Sequence, residues 1–266
     1  RAPLSTRNVL MDKVLDKRIH SKLVIYTRKD LMAGNQEYLH KLAKWHEEIG
    51  ENYMMINGKR HSDVTNVLKT LKWYKQQHEQ RLDIPLPLGY KVLVSGMPNV
   101  GKSTLINSLR ALTSKGKKVA RTGAEAGITR STSELIRICE EQQIYLIDSP
   151  GIGLPGRLNS GDKMIVLSLC GCIKQGIVDC LVEADYLLFL LNLQRDAASR
   201  WYPDMDRRPT NDIYEVLERL RRNKNSSLED IARSWIQKTA DGLIFDKELL
   251  LSPHEFSLKD YVTEQL

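Results

Sequence analysis

The stretch "GMPNVGKST", residues 96–104, decides the fold because it matches the phosphate-binding pattern G-x-x-x-x-G-K-S/T. The stretch before it, "YKVLVSG" (90–96), reads as a buried strand, and a helix is predicted from Lys102. In this context backbone N–H groups curl around a β-phosphate at the N-terminus of the helix. We therefore predict an α/β domain that binds a nucleotide.

The residues of this phosphate loop have separate predicted roles. Gly96 and Gly101 let the backbone approach the phosphates, Lys102 neutralises β- and γ-phosphate oxygens, and the Ser103 hydroxyl ligates magnesium. We expect the nucleotide to be bound here by Asn99, Val100, Gly101, Lys102, Ser103 and Thr104.

Two downstream motifs complete the predicted chemistry of phosphate transfer. "IYLIDSPG" (144–151) ends an apolar strand with D-x-x-G, which places the Asp148 carboxylate near magnesium and the Gly151 N–H near the γ-phosphate. Between the two motifs, Thr129 of "GITRST" is suited to a switch loop that closes on magnesium when the γ-phosphate is present. The predicted magnesium ligands are Ser103, Thr129 and Asp148, and the predicted catalytic residues include Lys102, Thr129 and Gly151.

The base-reading loop is predicted upstream of the phosphate loop, in "VIYTRKDL" (24–31). A loop N/T-K-x-D reads guanine because its aspartate accepts hydrogen bonds from N1 and the exocyclic amine. After residue 104 we find none, since "QKTAD" (237–241) has its carboxylate one residue too far along. The loop at Thr27, Arg28, Lys29 and Asp30 instead follows the strand pattern "KLVIY".

Within this loop Asp30 is predicted to read the base, and Thr27 to hold neighbouring loops by hydrogen bonds. Arg28 stands where a lysine stem usually covers the base, and its planar guanidinium can stack there. The alternative is a merely charged turn between strand and helix. After the next strand, "INGK" (56–59) is expected to offer the N–H groups of Asn57 and Gly58 to the guanine oxygen.

Strand and helix patterns alternate before residue 112 and two further strand patterns follow up to residue 148, which predicts a mostly parallel sheet with helices against it. After Gly151 only helical patterns follow, and the apolar run "YLLFLLNL" (186–193) is interpreted as helix because it continues "CLVEA". We therefore divide the chain into a domain at 1–160 and a helical domain at 161–266. The predicted strands are 22–26, 53–57, 90–96, 133–138 and 144–148, and the predicted helices are 37–50, 62–80, from 102, 162–200, 211–223 and 227–240.

The charge of the chain favours an anionic partner. Forty lysines and arginines against 33 acidic residues give the 266-residue chain a net charge of +7, and the pI is near 9.1, which suits nucleic acid. A basic protein of a basic compartment is the alternative. No apolar run is long enough to span a membrane. The cysteines lack the spacing of a zinc site, so we expect reduced core thiols at Cys139, Cys170, Cys172 and Cys180.

The order of the motifs carries a family resemblance. Guanine loop, second base loop, phosphate loop, switch threonine and D-x-x-G follow one another as in the circularly permuted GTPases of ribosome assembly. The chain resembles the ribosome biogenesis GTPase A group and its mitochondrial ribosome-associated counterpart, and a fungal member is expected. "RAPLSTRN" (1–8) is similar to the second half of that family's D-A-R-x-P-x-S-x-R-N element, so we expect the protein to extend upstream of Arg1.

The resemblance implies a P-loop GTPase that binds GTP, GDP, magnesium and potassium, followed by a smaller all-α domain. It implies an assembly factor of the large mitochondrial ribosomal subunit in the matrix, with peripheral association with the inner membrane left open and no sign of a homo-oligomer. Asn99 would then be catalytic by helping to bind potassium, although it could instead only shape the loop. Ile152 replaces the glutamine that often orients water, so hydrolysis should be slow without the ribosome and potassium.

Two basic stretches are expected to contact ribosomal RNA, "DRR" (206–208) and "RLRRNK" (219–224), although exposed basic faces are often only solvated. GTP would order the Thr129 loop and reposition the helical domain. Two other functions stay open. One is a GTP-gated binding module or scaffold with negligible hydrolysis, and the other is an ATP-dependent enzyme in which Asp30 has no role.

Overall fold

The computed structural model describes residues 4, 15–16, 18–32, 36–82, 86–113, 135–149, 161–194, 210–221, 225–240 and 243–246. Strands and helices alternate up to Thr113, two consecutive strands follow up to Asp148, and only helices are assigned among the described residues beyond it. The strands are β1 (Val24–Tyr26), β2 (Tyr53–Met55), β3 (Tyr90–Val94), β4 (Leu135–Cys139) and β5 (Ile144–Asp148). The helices are α1 (Gln36–Glu48), α2 (His61–Leu82), α3 (Lys102–Thr113), α4 (Gly161–Leu169), α5 (Cys180–Leu193), α6 (Ile213–Leu220) and α7 (Leu228–Thr239).

The chain divides into two compact units, each discontinuous in sequence. The sheet unit comprises Leu10–Asp30 and Glu51–Pro155, and the helical unit comprises Arg1–Val9, Leu31–Gly50 and Gly156–Leu266. The helical unit therefore includes α1, which lies well before residue 160 in the sequence. The division into domains at 1–160 and 161–266 stays a proposal.

The strands of the sheet unit form two small sheets. β1 and β2 pair in parallel, with Tyr26 opposite Met55. The second sheet has the order β3-β5-β4, in which β5 is parallel to β3 and antiparallel to β4. Only Glu140–Gln143 separate β4 from β5, and so short a connection permits a hairpin but no crossover to a parallel strand.

One apolar core holds both sheets against α2 and α3. Apolar residues recur at helical spacing on one face of each helix, and this face is buried against the strands. The core contains Ile56, Val64, Val67, Leu71, Leu105, Ile106, Leu109, Ile138, Cys139, Ile144 and Leu146. The loops at the ends of these elements are thereby fixed relative to one another.

The helical unit is organised around α5, whose apolar residues cover nearly its whole circumference. Such a helix is stable only when other helices surround it, and α4, α6 and α7 all pack against it. The helix predicted over "YLLFLLNL" is confirmed. The single helix predicted over 162–200 is wrong, because α4 ends at Leu169 and α5 starts only at Cys180. Gly171 and Gly176 between them have positive φ, and the Asp179 side chain caps α5.

A buried carboxylate joins distant segments within the helical unit. Asp246 accepts hydrogen bonds from the Leu4 N–H and from the Tyr38 hydroxyl of α1. The four cysteines form no disulfide in the described chain. Cys139, Cys170 and Cys172 are buried, as expected of core thiols, whereas Cys180 is partly exposed. None of the helices that the structure describes is long and apolar enough to cross a membrane.

Candidate functional site

The phosphate loop and the D-x-x-G turn begin at the same edge of the second sheet. β3 and β5 are parallel, and Val94 at the end of β3 lies opposite Asp148 at the end of β5. Ser149 closes the edge, since its N–H and its hydroxyl both donate to the Val94 carbonyl oxygen, at 3.1 and 2.9 Å. The first residues of both motifs are therefore held together by backbone pairing.

The backbone of the phosphate loop adopts positive φ angles, as its glycines predicted, and packs closely against Thr27. Gly101 has a φ of 101°, and a Cβ there would lie 3.4 Å from the Thr27 methyl carbon. Asn99 has a φ of 58°, a left-handed conformation that asparagine adopts more readily than most residues. The loop turns directly into α3, whose first residue is Lys102.

The ammonium group of Lys102 is held over the loop by the loop's own backbone. Its Nζ donates to the carbonyl oxygens of Gly96 and Met97, at 2.8 Å in both cases. The lysine charge also acts on Asp148, because it lowers the pKa of that carboxyl group. The cation is thus bound by the phosphate loop and close enough to Asp148 to act on its charge.

Asp148 has the properties of a carboxylate that needs a cation. Its Oδ1 is buried and accepts no hydrogen bond from the described part of the chain. Burial raises the pKa of Asp148 above its usual value, and Lys102 offsets this only in part. A magnesium ion would supply the missing partner, so the residues present fit this metal.

The shape of the donor set also suits magnesium. In the described ranges no cluster of three or more His, Cys, Asp or Glu residues could hold a metal ion. Magnesium at nucleotide sites is usually bound through one or two protein groups, with phosphate oxygens and water completing the octahedron. Asp148 and Ser103, in the first turn of α3, would be those groups.

The upstream guanine loop lies against the phosphate loop. The Thr27 hydroxyl, which is partly buried, donates to the Val100 carbonyl oxygen at 2.7 Å. The Lys29 N–H donates to the Ile56 carbonyl oxygen at 3.1 Å, and the Ile56 N–H donates to the Tyr26 oxygen at 2.8 Å. Residues 73 positions apart in sequence are in direct contact, as a permuted nucleotide site requires.

The two residues predicted to face the base are exposed. Asp30 lies in a short 3₁₀ helix, Lys29–Met32, directly after β1. Arg28 has a φ of 58°, a conformation that is uncommon outside glycine. The Asp30 carboxylate and the Arg28 side chain are thus accessible to a ligand.

The second base loop differs from the prediction in one contact. The Asn57 N–H, which we expected to face the guanine oxygen, donates to Asp63 Oδ2 at 2.8 Å. The Gly58 N–H therefore becomes the better candidate for the guanine oxygen. The Gly58 carbonyl oxygen accepts a hydrogen bond from Ser108 of α3 at 2.7 Å, which ties this loop to the helix after the phosphate loop.

Several predicted residues lie outside the described ones, namely Thr129, Gly151, Ile152 and the stretch 206–208. Of the basic stretch 219–224, Arg219 pairs with Glu215 and Arg221 pairs with Glu218. These two arginines already have acidic partners on α6, which weakens the case for them as phosphate contacts.

Three residues of the site were not predicted from the sequence: Asp63, Ser108 and Ser149. Each binds a backbone group of a loop that the motifs identified. Asp63 and Ser149 had a signal in the sequence, since they are small polar residues in the first turn of a predicted helix and directly after a predicted strand, where such side chains commonly bind backbone groups. Ser108, in the second turn of α3, had no such signal.

Comparison with known proteins agrees with this geometry. Residues 91–229 match the family model described as "50S ribosome-binding GTPase". The chain is 50% identical to "Mitochondrial GTPase 1" of Saccharomyces cerevisiae, over 100% of this chain and 77% of that protein. It is 34% identical to "Mitochondrial ribosome-associated GTPase 1" of Mus musculus, over 72% of this chain and 57% of that protein.

One solved structure confirms the fold class. The GDP-bound structure of YlqF from T. maritima superposes with a TM-score of 0.53 at 16% identity, and the match covers 87% of this chain and 86% of that one. The circularly permuted P-loop GTPase fold that the motif order predicted is therefore confirmed.

Proposed function

The chain belongs to the 50S ribosome-binding GTPase family, and from this membership we propose that it is a GTP-hydrolysing assembly factor for the large mitochondrial ribosomal subunit. The names of its relatives in yeast and mouse support a mitochondrial location and a ribosomal partner. The observation that most directly supports GTP binding is the hydrogen bond between Thr27 and Val100. It joins the only loop able to read guanine by sequence to the loop that holds phosphates.

GTP binding is divided between the two loops. The Asp30 carboxylate accepts hydrogen bonds from guanine N1 and the exocyclic amine, Arg28 stacks on the base, and the Gly58 N–H reaches the guanine oxygen. The amides of the phosphate loop and the Lys102 ammonium bind the phosphates. Lys102 exchanges its two backbone carbonyl partners for phosphate oxygens, so it is already positioned before the nucleotide arrives.

Hydrolysis requires charge to be stabilised on the transferring phosphoryl group. Ser103, Thr129 and Asp148 would hold a magnesium ion, which would supply positive charge at the β- and γ-phosphates. Lys102 neutralises the same oxygens, and the Gly151 N–H faces the γ-phosphate. Asn99 would assist by helping to hold a potassium ion, which would supply further positive charge there. The left-handed backbone of Asn99 supports the alternative that this residue only shapes the loop.

The nucleotide state would be transmitted along the chain beyond D-x-x-G. With GTP bound, the Thr129 loop and the 148–151 turn would order around the γ-phosphate and the magnesium that they would hold, and this would change how the helical unit contacts ribosomal RNA. Release of phosphate reverses the change. We place the protein in the mitochondrial matrix, with association with the inner membrane left open.

A second candidate function is a GTP-gated binding module with negligible hydrolysis. Ile152 favours it, because an isoleucine after D-x-x-G cannot orient a water molecule. The two functions share the nucleotide site and differ only in turnover.

The deciding experiment measures GTP turnover with and without purified large mitochondrial subunits, in potassium and in sodium buffers. An assembly GTPase shows slow turnover alone and stimulation by the subunit, by potassium, or by both. Lys102→Ala should abolish turnover in every condition, which controls for contaminating nucleotidases. If neither the subunit nor potassium stimulates the wild-type chain, the assembly GTPase is rejected in favour of the binding module.

Co-sedimentation tests binding to the large subunit independently of GTP hydrolysis. The proposal predicts that the chain sediments with large subunits when a non-hydrolysable GTP analogue is bound and is released with GDP. Equal sedimentation in both states would contradict a nucleotide-dependent switch.

A further inference from the structure

An exposed tryptophan on α2 has no role in the nucleotide site. Trp73 is 51% exposed, and its ring contacts only Tyr74 among the described aromatic rings, edge-on with centroids 5.0 Å apart. Tyr74 is buried, and its hydroxyl is bonded to Asn52 and to the Lys22 carbonyl oxygen. The buried tyrosine therefore supports one side of an indole whose remaining surface is open to solvent.

The residues around Trp73 form one face of the helix. Counted from Lys69, three further residues follow at +3, +4 and +7, namely Lys72, Trp73 and Gln76. This spacing places all four side chains on a single helix face. The opposite face is buried in the core through Val67, Leu71 and Tyr74. This outward face lines a groove of about 510 Å³, which we call the α2 groove.

The charge of the α2 groove is positive. Lys69 and Lys72 form no ion pair with any residue that the structure describes. Among the described residues that line the groove, Glu79 is the one carboxylate, and the Lys75 ammonium lies 2.7 Å from it. The groove thus offers two unneutralised ammonium groups and an exposed aromatic ring on one helix face.

The wall opposite α2 adds a hydrogen-bonding group. Gln142, in the turn between β4 and β5, also lines the groove. Its Oε1 is buried and has no hydrogen-bond partner in the described chain. When this side chain turns into the groove, its unsatisfied oxygen can accept a hydrogen bond from a ligand donor, such as the N3–H of uracil.

We infer that the α2 groove binds single-stranded RNA, with a base stacked on Trp73 and adjacent phosphates bound by Lys69 and Lys72. A basic groove that contains an exposed aromatic ring is the pattern by which proteins hold unpaired bases, because each base presents a stacking face and each linkage a negative charge. Double-stranded RNA is excluded from this mode since its bases are stacked on one another. The inference concerns RNA binding alone and does not require the role in ribosome assembly.

The test measures binding of a fluorescein-labelled polyuridine oligonucleotide to the full chain by fluorescence anisotropy. Trp73→Ala should weaken binding by about 5- to 150-fold, the range of one base–aromatic stack, whereas Trp73→Phe should retain most of the affinity. Lys69→Ala with Lys72→Ala should weaken binding and reduce the salt slope by about 0.7 per lysine.

The matched control variants remove an exposed aromatic ring and an exposed lysine that lie outside the α2 groove. Tyr214→Ala deletes another exposed aromatic ring, at 54% exposure, and Lys91→Ala deletes an exposed lysine of β3; neither should change RNA affinity. Fluorescent GDP binding should be unchanged in all variants, which shows that the sheet unit is folded.

Three results would overturn the inference. The first is an RNA affinity of Trp73→Ala equal to that of the wild type, and the second is an equal loss in the Tyr214→Ala control. The third is preferential binding of duplex RNA or of a polyglutamate peptide, since the groove would then recognise something other than unpaired bases. Oligonucleotide binding without stimulation of GTP turnover by ribosomes would support the groove and reject the assembly role.

Discussion

The contact between Thr27 and Val100 gives the sharpest structural test of the permuted site, through the substitution Thr27→Val. Valine keeps the shape of threonine, including the methyl group that lies beside Gly101, and removes only the hydroxyl that donates to the Val100 carbonyl oxygen at 2.7 Å. One such hydrogen bond contributes about 0.5–1.5 kcal/mol. Because the bond fixes the guanine loop relative to the phosphate loop, its loss should weaken GDP binding by roughly 2- to 12-fold.

Isothermal titration calorimetry of GDP into the wild type, Thr27→Val and Thr27→Ser measures this effect. Serine keeps the hydroxyl and loses the methyl, so it should bind GDP more tightly than the valine variant. A valine variant with wild-type affinity would refute the role of this bond in joining the loops. A thermal melt without nucleotide shows whether the loss of affinity comes with a loss of fold stability.

Three further substitutions test other contacts of the site. Gly101→Ala should weaken GDP binding by about 5- to 150-fold, because a φ of 101° strains any residue with a Cβ; wild-type affinity would show that the loop can relax. Ser108→Ala, which removes the bond to the Gly58 carbonyl oxygen, should lower the free energy of unfolding by about 1 kcal/mol in a urea titration, and an unchanged midpoint would contradict it. Burial raises the pKa of Asp148 above 3.8, so this carboxyl group stabilises the fold below that pH and loses its contribution as the pH rises through the raised pKa. Asp148→Asn should therefore raise the melting temperature of the nucleotide-free chain at pH 7.5, and this gain should disappear near pH 3.8. The same substitution should weaken magnesium-dependent GTP binding. A melting temperature below that of the wild type at pH 7.5 would contradict the burial argument.

The fold class followed from the sequence because its strongest signals are local. A phosphate loop between a strand and a helix, and a base loop after a strand, can each be recognised within about ten residues. Their order then defined the permutation, and the parallel pairing of β3 with β5 brings their loops to one edge.

The details that the sequence did not predict depend on contacts between distant segments. Helical spacing continues through "LCGCIKQGIVDC" (169–180), yet Gly171 and Gly176 adopt positive φ and the chain turns there. The antiparallel β4 could have been predicted, because five residues between predicted strands are too few for a crossover. The hydrogen bond from the Asn57 N–H to Asp63 could not have been predicted, because it depends on where α2 begins relative to the end of β2.

The central claim is that guanine is read by Asp30, upstream of the phosphate loop, and the substitution Asp30→Asn tests it most directly. An asparagine can donate to the C2 carbonyl of xanthine but cannot accept from both guanine N1 and the exocyclic amine. Competition of GTP and xanthosine triphosphate for the fluorescent-GDP site should show at least about a tenfold loss of GTP affinity, with a gain for xanthosine triphosphate, since a hydrogen bond to a charged group contributes about 1.5–3 kcal/mol. A variant that still prefers GTP as strongly as the wild type would contradict the assignment of the base loop and with it the permuted site.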